Sequence, residues 1–198
     1  QAGLMSVLVA LLFVVFAAFT SGLPILGAVN LALARALNVI LGMAFAVPQG
    51  PLVPGNELWG PVAALFGYIF LVTQIASEET RVNRERLLRL IGALVVVLVV
   101  LNVMLYVSGL SKADVELRVL LSIFVAGVIA RLLQLARRVA RELTSESVQK
   151  LVVGGFVGAI VVNANFVAFT GHAGQTIGVL FLLLPSFILL RFFNILFP

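Results

Sequence analysis

One stretch of the chain, NLALARALNVILGM (Asn30–Met43), indicates how the protein folds. It lies inside an apolar run, Leu23 to Val47, that is long enough to cross a bilayer, and Arg35 stands near the middle of that run. A charge at the bilayer centre costs from about 2.5 to more than ~10 kcal/mol. At 1.5 Å per residue, Arg35 is roughly 18 Å from either end of the run, too far for its side chain to reach water easily.

Two further residues share the helical face of Arg35. Asn38 follows three residues later and Gly42 four residues after that, a spacing that places all three on one side of a helix. Because a lipid-facing arginine is costly, we expect this side to face the bundle interior. Arg35 and Asn38 are therefore candidate substrate-binding residues, and a polar clamp between neighbouring helices is the structural alternative.

Composition restricts the class of protein. Of 198 residues, 62% are hydrophobic and 11% are charged, which excludes an ordinary soluble domain and indicates a multi-pass helical protein, expected in a prokaryotic cytoplasmic membrane. The absence of cysteine excludes disulfides and thiolate metal sites, and a single histidine excludes a His-rich metal site. The net charge of +5 comes from basic residues beside predicted membrane ends, so membrane lipid is an expected partner and nucleic acid is not.

Apolar length and polar or Gly/Pro breaks divide the chain into seven predicted spans in a single transmembrane domain, residues 1–198. Small residues on the sixth span, in the pattern Gly154-x-x-x-Gly158, favour close contact with a neighbouring helix. The spans are Gly3 to Thr20, Leu23 to Val47, Trp59 to Ala76, Leu88 to Ser108, Val115 to Gln134, Val148 to Thr170 and Gln175 to Phe193.

Basic residues predict the orientation of these spans. The segments Ser77–Leu90 and Leu135–Lys150 each carry four basic residues, so both should be cytoplasmic, whereas Pro48–Leu58 and Gly171–Gly174 carry none and should be external. Counting the spans back from these loops places Gln1 on the external side. The distribution of basic residues does not explain why a first span would insert with its N-terminus outside. We therefore expect an odd number of helices to precede it.

Two phrases carry a resemblance to a known family. The sequence ARALNVILGMA (Ala34–Ala44) is followed one span later by GYIFLVTQIASEETR (Gly67–Arg81). An Arg-x-x-Asn-x-x-x-Gly helix before a span that ends in a short acidic segment resembles the UbiA superfamily of intramembrane prenyltransferases, closest to the divergent branch of bacterial ebo-type clusters. The resemblance implies a helical horseshoe around a lipid-open cavity, of which this chain would be the part from the fourth helix onward.

The family resemblance also implies a metal and a substrate. Two acidic motifs on cytoplasmic loops would hold Mg²⁺ and a polyprenyl diphosphate, whose prenyl group is transferred to a small acceptor. The first motif, Asn-Asp-x-x-Asp, has no match, because Asp114 is the one aspartate in the sequence. At the second motif's position the chain has Ser77-Glu-Glu-Thr80, so Glu78 and Glu79 are the expected metal ligands.

Other polar residues extend this predicted site. Gln74 precedes Glu78 by four residues, so both lie on one helical face that leads from the membrane to the cytoplasm. Arg81 and Arg84 are expected to bind diphosphate oxygens, because guanidinium groups fit phosphate. The alternatives are a solvated acidic pair at Glu78 and Glu79 and membrane-anchoring arginines at 81 and 84.

Two functions follow from these residues. The first is a UbiA-like intramembrane prenyltransferase, with Mg²⁺ as its cofactor and catalytic carboxylates supplied mainly upstream. The second is a non-catalytic membrane subunit that keeps the same fold as a cradle for lipid, quinone or pigment among other membrane subunits.

Overall fold

A computed structural model describes residue 14 and residues 24–46, 59–78, 83–107, 113–142, 144–169, 173–186 and 188. Within the range 24–46, side chains are described for residues 25–40. All regular secondary structure in these ranges is helical. The helices are α1 (Pro24–Ala46), α2 (Trp59–Ser77), α3 (Arg84–Met104), α4 (Val115–Arg141), α5 (Ser145–Phe169) and α6 (Ala173–Phe181).

The six helices fall where the second to seventh spans were predicted, and the first predicted span lies outside the described residues apart from residue 14. Helix α4 continues seven residues past the predicted end at Gln134. Helix α6 ends at Phe181, and helical residues resume at 183–186 after a turn. Four helices, α2 to α5, are long and apolar enough to cross a membrane.

The outer faces of α3 and α4 are apolar, as expected for helices in contact with lipid. Val96 and Val103 of α3 and Ile123 of α4 are more than half exposed, which in water would leave a large unfavourable apolar surface. At 27 residues, α4 is about 40 Å long and exceeds the hydrocarbon core of about 30 Å. Its last turns, with Arg138 and Arg141, therefore extend beyond the apolar zone.

Helix α5 lies at the centre of the bundle and contacts α2, α3, α4 and α6. Small residues make this possible: a Cβ added at Gly155 would lie 3.0 Å from Val72 of α2, and one at Gly158 would lie 2.9 Å from Val128 of α4. Tyr68 of α2 is buried, and its hydroxyl donates to the Gly155 carbonyl at 2.8 Å. The predicted close contact at the small-residue face of the sixth span is present.

Helix α2 runs antiparallel to α5. Val62 near the start of α2 clusters with Phe166 near the end of α5, whereas Val72 near the end of α2 meets Gly155 in the first half of α5. Helices α2 and α3 are also antiparallel, because Gly60 at the start of α2 lies against Met104 at the end of α3. The α2–α3 and α4–α5 junctions therefore lie at one end of the bundle, which we call the basic end. Its described basic residues are Arg84, Arg86, Arg89, Arg137, Arg138, Arg141 and Lys150.

The shared position of the two basic junctions yields a topology prediction. Cysteines at Arg84 and Arg138, in otherwise unchanged protein, should react alike with a membrane-impermeant maleimide, because both residues are exposed at the basic end. A cysteine at His172, which lies outside the described residues, should show the opposite accessibility. Intact cells and inverted vesicles give the two readouts, with the basic end protected in intact cells. Equal labelling of all three sites from outside would contradict the predicted orientation.

Candidate functional site

The α2–α3 junction is built by local capping. Helix α2 ends because the Ser77 hydroxyl donates to the Gln74 carbonyl at 2.7 Å and the Glu78 backbone N–H closes a turn on the Ile75 carbonyl at 3.1 Å. These bonds satisfy carbonyls that have no partner in the last helical turn. Glu78 is thereby fixed directly at the end of the helix.

Helix α3 begins with an asparagine cap. Asn83 has extended backbone angles, and its side-chain oxygen accepts a hydrogen bond from the Arg86 backbone N–H at 3.1 Å. This is the usual N-cap arrangement, in which a side chain satisfies a free N–H of the first turn. The cap places Arg86 in the first turn of α3, opposite the last turn of α2.

Three side chains meet across the junction, and we call Gln74, Glu78 and Arg86 the Arg86 cluster. The Arg86 Nε atom lies 3.0 Å from a Glu78 carboxylate oxygen, and an Arg86 terminal nitrogen donates to the Gln74 side-chain oxygen at 3.2 Å. Gln74 is 3% exposed and Glu78 is 4% exposed, whereas the Arg86 side chain is 49% exposed. The cluster therefore has a buried acceptor side and a guanidinium that reaches the surface.

Burial determines the electrostatics of the cluster. A buried carboxylate is strongly unfavourable without a positive partner, and Arg86 supplies that partner for Glu78. The Gln74 side-chain nitrogen is a buried donor for which the described residues provide no hydrogen-bond partner. The cluster therefore holds one polar group without a partner among the described residues. A buried donor without a hydrogen bond costs about 1–3 kcal/mol.

The structure shows where the predicted polar residues at the basic end lie. Gln74 and Glu78 do share one side of α2, as their four-residue spacing predicted. Arg84 is exposed, and Arg81 and Glu79 lie outside the described residues. The arginine that joins Gln74 and Glu78 is instead Arg86, which sequence reasoning treated only as a membrane-end charge.

A sequence signal for Arg86 exists in the pattern of α3. Arg86, Leu90 and Val97 are separated by four and seven residues, so they lie on one helical face. Val97 marks that face as the one directed at α2, because it lies 3.9 Å from a Cβ added at Gly67. An arginine on the first turn of this face is directed at α2, and the register between the two helices brings it to the end of α2.

The residues at the second acidic motif's position do not fit Mg²⁺ in the described part of the chain. Mg²⁺ takes several oxygen ligands in near-octahedral geometry. Here Glu78 provides one carboxylate that is already paired with Arg86, and the Gln74 oxygen accepts from the same guanidinium. Nowhere among the described residues do three His, Cys, Asp or Glu side chains come together in a way that could hold a metal ion.

The prediction that Arg35 faces the bundle interior is wrong for the described structure, and Asn38 departs from it in the same way, since both are exposed. The reason is the alanine stripe of α1: Ala28, Ala32 and Ala36 are buried, together with Asn30, because small side chains allow close approach to α2. Arg35 is offset from Ala36 by about 100° around the helix.

Arg35 and Asn38 are also distant from the Arg86 cluster. Ala36 packs in one cluster with Val62 and Phe66, which sets the level of this part of α1 along α2. Glu78 lies twelve residues after Phe66, so the two levels are separated by about 18 Å along the helix axis. Arg35 and Asn38 are therefore deeper in the bundle than Glu78, and they do not contribute to the Arg86 cluster.

A pocket of about 210 Å³ lies at the opposite end of the bundle, between the starts of α4 and α6. Asp114 and Glu116 contribute two carboxylates, and apolar residues such as Leu117 and Ile177 complete the wall. Two carboxylates repel an anionic head group. An anionic ligand is therefore expected to bind at the basic end and not in this pocket.

Comparison of the chain with protein-family models, with curated proteins and with solved structures gives no match in any of the three.

Proposed function

We propose that this chain is a UbiA-like multi-pass membrane protein, part of a helical horseshoe, that binds a polyprenyl diphosphate and transfers its prenyl group to a small acceptor. The head group lies at the basic end, and the prenyl chain lies along the apolar helices. The proposal rests on the sequence resemblance together with the Arg86 cluster.

The single supporting observation is the position of Arg86. Its guanidinium is oriented by two buried acceptors, Glu78 and Gln74, and remains half exposed at the end of the apolar bundle. A fixed guanidinium fork matches the geometry of phosphate oxygens and loses little further conformational freedom on binding. A lipid with an anionic head group and an apolar tail fits such a place.

The proposed reaction breaks the allylic C–O bond of the polyprenyl diphosphate and forms one bond from the prenyl carbon to the acceptor. Diphosphate leaves, and the acceptor loses one proton. In the chemistry that the resemblance implies, bound Mg²⁺ would neutralise charge on the leaving diphosphate. The described residues do not supply its ligands, because Glu78 is paired with Arg86, and Glu79, the other expected ligand, lies outside the described residues.

A specific observation favours the second function, a non-catalytic cradle for lipid, quinone or pigment within a larger membrane complex. The Glu78 carboxylate is engaged by Arg86 and is therefore not free to bind a cation. A protein that retained the fold without the metal chemistry would keep this closed ion pair. The two functions differ in whether the ligand must carry a diphosphate.

Binding of radiolabelled geranylgeranyl diphosphate to the protein in lipid nanodiscs, with Mg²⁺ present, tests the proposal. We expect saturable binding that excess unlabelled ligand displaces and that geranylgeraniol, which lacks the diphosphate, displaces at least about tenfold less well. Pyrophosphate release in the presence of a panel of small acceptors then reports transfer. Absence of binding contradicts the proposal, and equal displacement by geranylgeraniol favours the cradle.

A further inference from the structure

We infer that the Arg86 cluster is a phosphate site that works without a divalent metal, in which the guanidinium of Arg86 replaces the cation. The inference rests on the proposed function, because it concerns how the same head group is held. It differs from the family expectation, in which carboxylates bind the metal and the metal binds the diphosphate.

The first step is the donor count. A guanidinium has five N–H donors in a fixed fork. The contacts to Glu78 and Gln74 engage the Nε atom and one terminal nitrogen. The half-exposed end of Arg86 therefore retains donors that can bind a phosphate oxygen while the buried end keeps the side chain in place.

The second step is the unused donor of Gln74. Its side-chain nitrogen is buried and has no hydrogen-bond partner in the described part of the chain, although the oxygen of the same amide accepts from Arg86. A bound anion beside Arg86 that reached this nitrogen would accept a hydrogen bond from it. Such a ligand removes the cost of leaving the donor unsatisfied.

The third step concerns the role of Glu78. If Glu78 were a metal ligand, converting it to glutamine would weaken binding. In the Arg86 cluster Glu78 is a positioning residue that also cancels the charge of Arg86. Glutamine keeps an acceptor for the Nε donor and removes the negative charge, so Glu78→Gln should strengthen anion binding. The two roles therefore predict effects of opposite sign.

The experiment measures binding of geranylgeranyl diphosphate in nanodiscs, with EDTA and with Mg²⁺. We expect wild type to bind equally in both conditions and Glu78→Gln to bind several-fold more tightly. Glu78→Gln/Arg86→Gln, which leaves no buried charge behind, should lose about tenfold or more. Arg89→Gln is the matched control and should bind as wild type, because Arg89 is an exposed arginine three residues away that pairs with the exposed Glu85 at 3.9 Å.

Each outcome has one meaning. Binding that requires Mg²⁺ and weakens in Glu78→Gln overturns the inference and leaves the proposed function standing. Retention of wild-type affinity in the double variant, with helicity and thermal unfolding unchanged, also overturns it. Lack of binding by wild type in both conditions contradicts the proposed function itself. Competition with inorganic pyrophosphate shows whether the site prefers the free anion or the lipid, and stronger binding of the lipid is the expected result.

Discussion

Gly158→Ala is expected to destabilise the protein by about 3 kcal/mol, because the added methyl group has no room. A Cβ at this position would overlap the Tyr68 hydroxyl and lie 2.9 Å from Val128. Tyr68 is buried and donates to the Gly155 carbonyl, so it cannot move away without losing that hydrogen bond. Unfolding of the purified protein in mixed micelles, followed by circular dichroism, measures the change.

Gly127→Ala is the matched control. Gly127 lies on α4 next to the residue that faces Gly158, and a Cβ there meets no atom within 4 Å. The same methyl group should therefore be neutral or slightly stabilising, since alanine favours a helix over glycine.

Tyr68→Phe provides a second check on the cause. It removes the hydroxyl that the new methyl group would meet, so Gly158→Ala should cost less in a Tyr68→Phe background than alone. Equal costs in the two backgrounds would show that the clash is not with Tyr68.

The helices themselves could be predicted from the sequence, because membrane spans are defined by apolar length and by polar or Gly/Pro breaks. Which face of each helix is buried could not be predicted in the same way. The cost of a charge in lipid correctly marked Arg35 as unusual, but it did not say on which side of α1 the residue lies. That side is decided by the stripe of Ala28, Ala32 and Ala36, whose small side chains pack against α2.

The candidate site was predicted only in part, because the sequence indicates spacing along one helix but not the contacts between helices. Gln74 lies in the last turn of α2 and Glu78 directly follows that helix, so their four-residue spacing was enough to place them together. Arg86 reaches them from another helix, and the register between two antiparallel helices depends on the connection between them, which periodicity does not encode. Its contact with Glu78 became visible only when α3 was aligned against α2.

Arg86→Leu is expected to lower the free energy of unfolding by about 2 kcal/mol, although leucine is compatible with a helix near a membrane. The variant leaves the Glu78 carboxylate, which is 4% exposed, without its positive partner. Removing one member of a buried ion pair typically costs about 3–5 kcal/mol. The half-exposed position of Arg86 lets water and other groups compensate in part, which is why the expected loss is smaller.

Comparison with the double variant separates charge from packing. Glu78→Leu/Arg86→Leu removes both charges and should be more stable than Arg86→Leu alone, because the single variant alone leaves a buried charge, whereas both variants lose the hydrogen bond to Gln74. Arg89→Leu is the control, because Arg89 and Glu85 are largely exposed and 3.9 Å apart, and such surface pairs contribute at most about 1 kcal/mol. If Arg86→Leu proved as mild as Arg89→Leu, Glu78 would not depend on Arg86 for its charge. Its carboxylate would then be available to a cation, and the metal-ligand role that the sequence predicted would be favoured over the metal-free phosphate site.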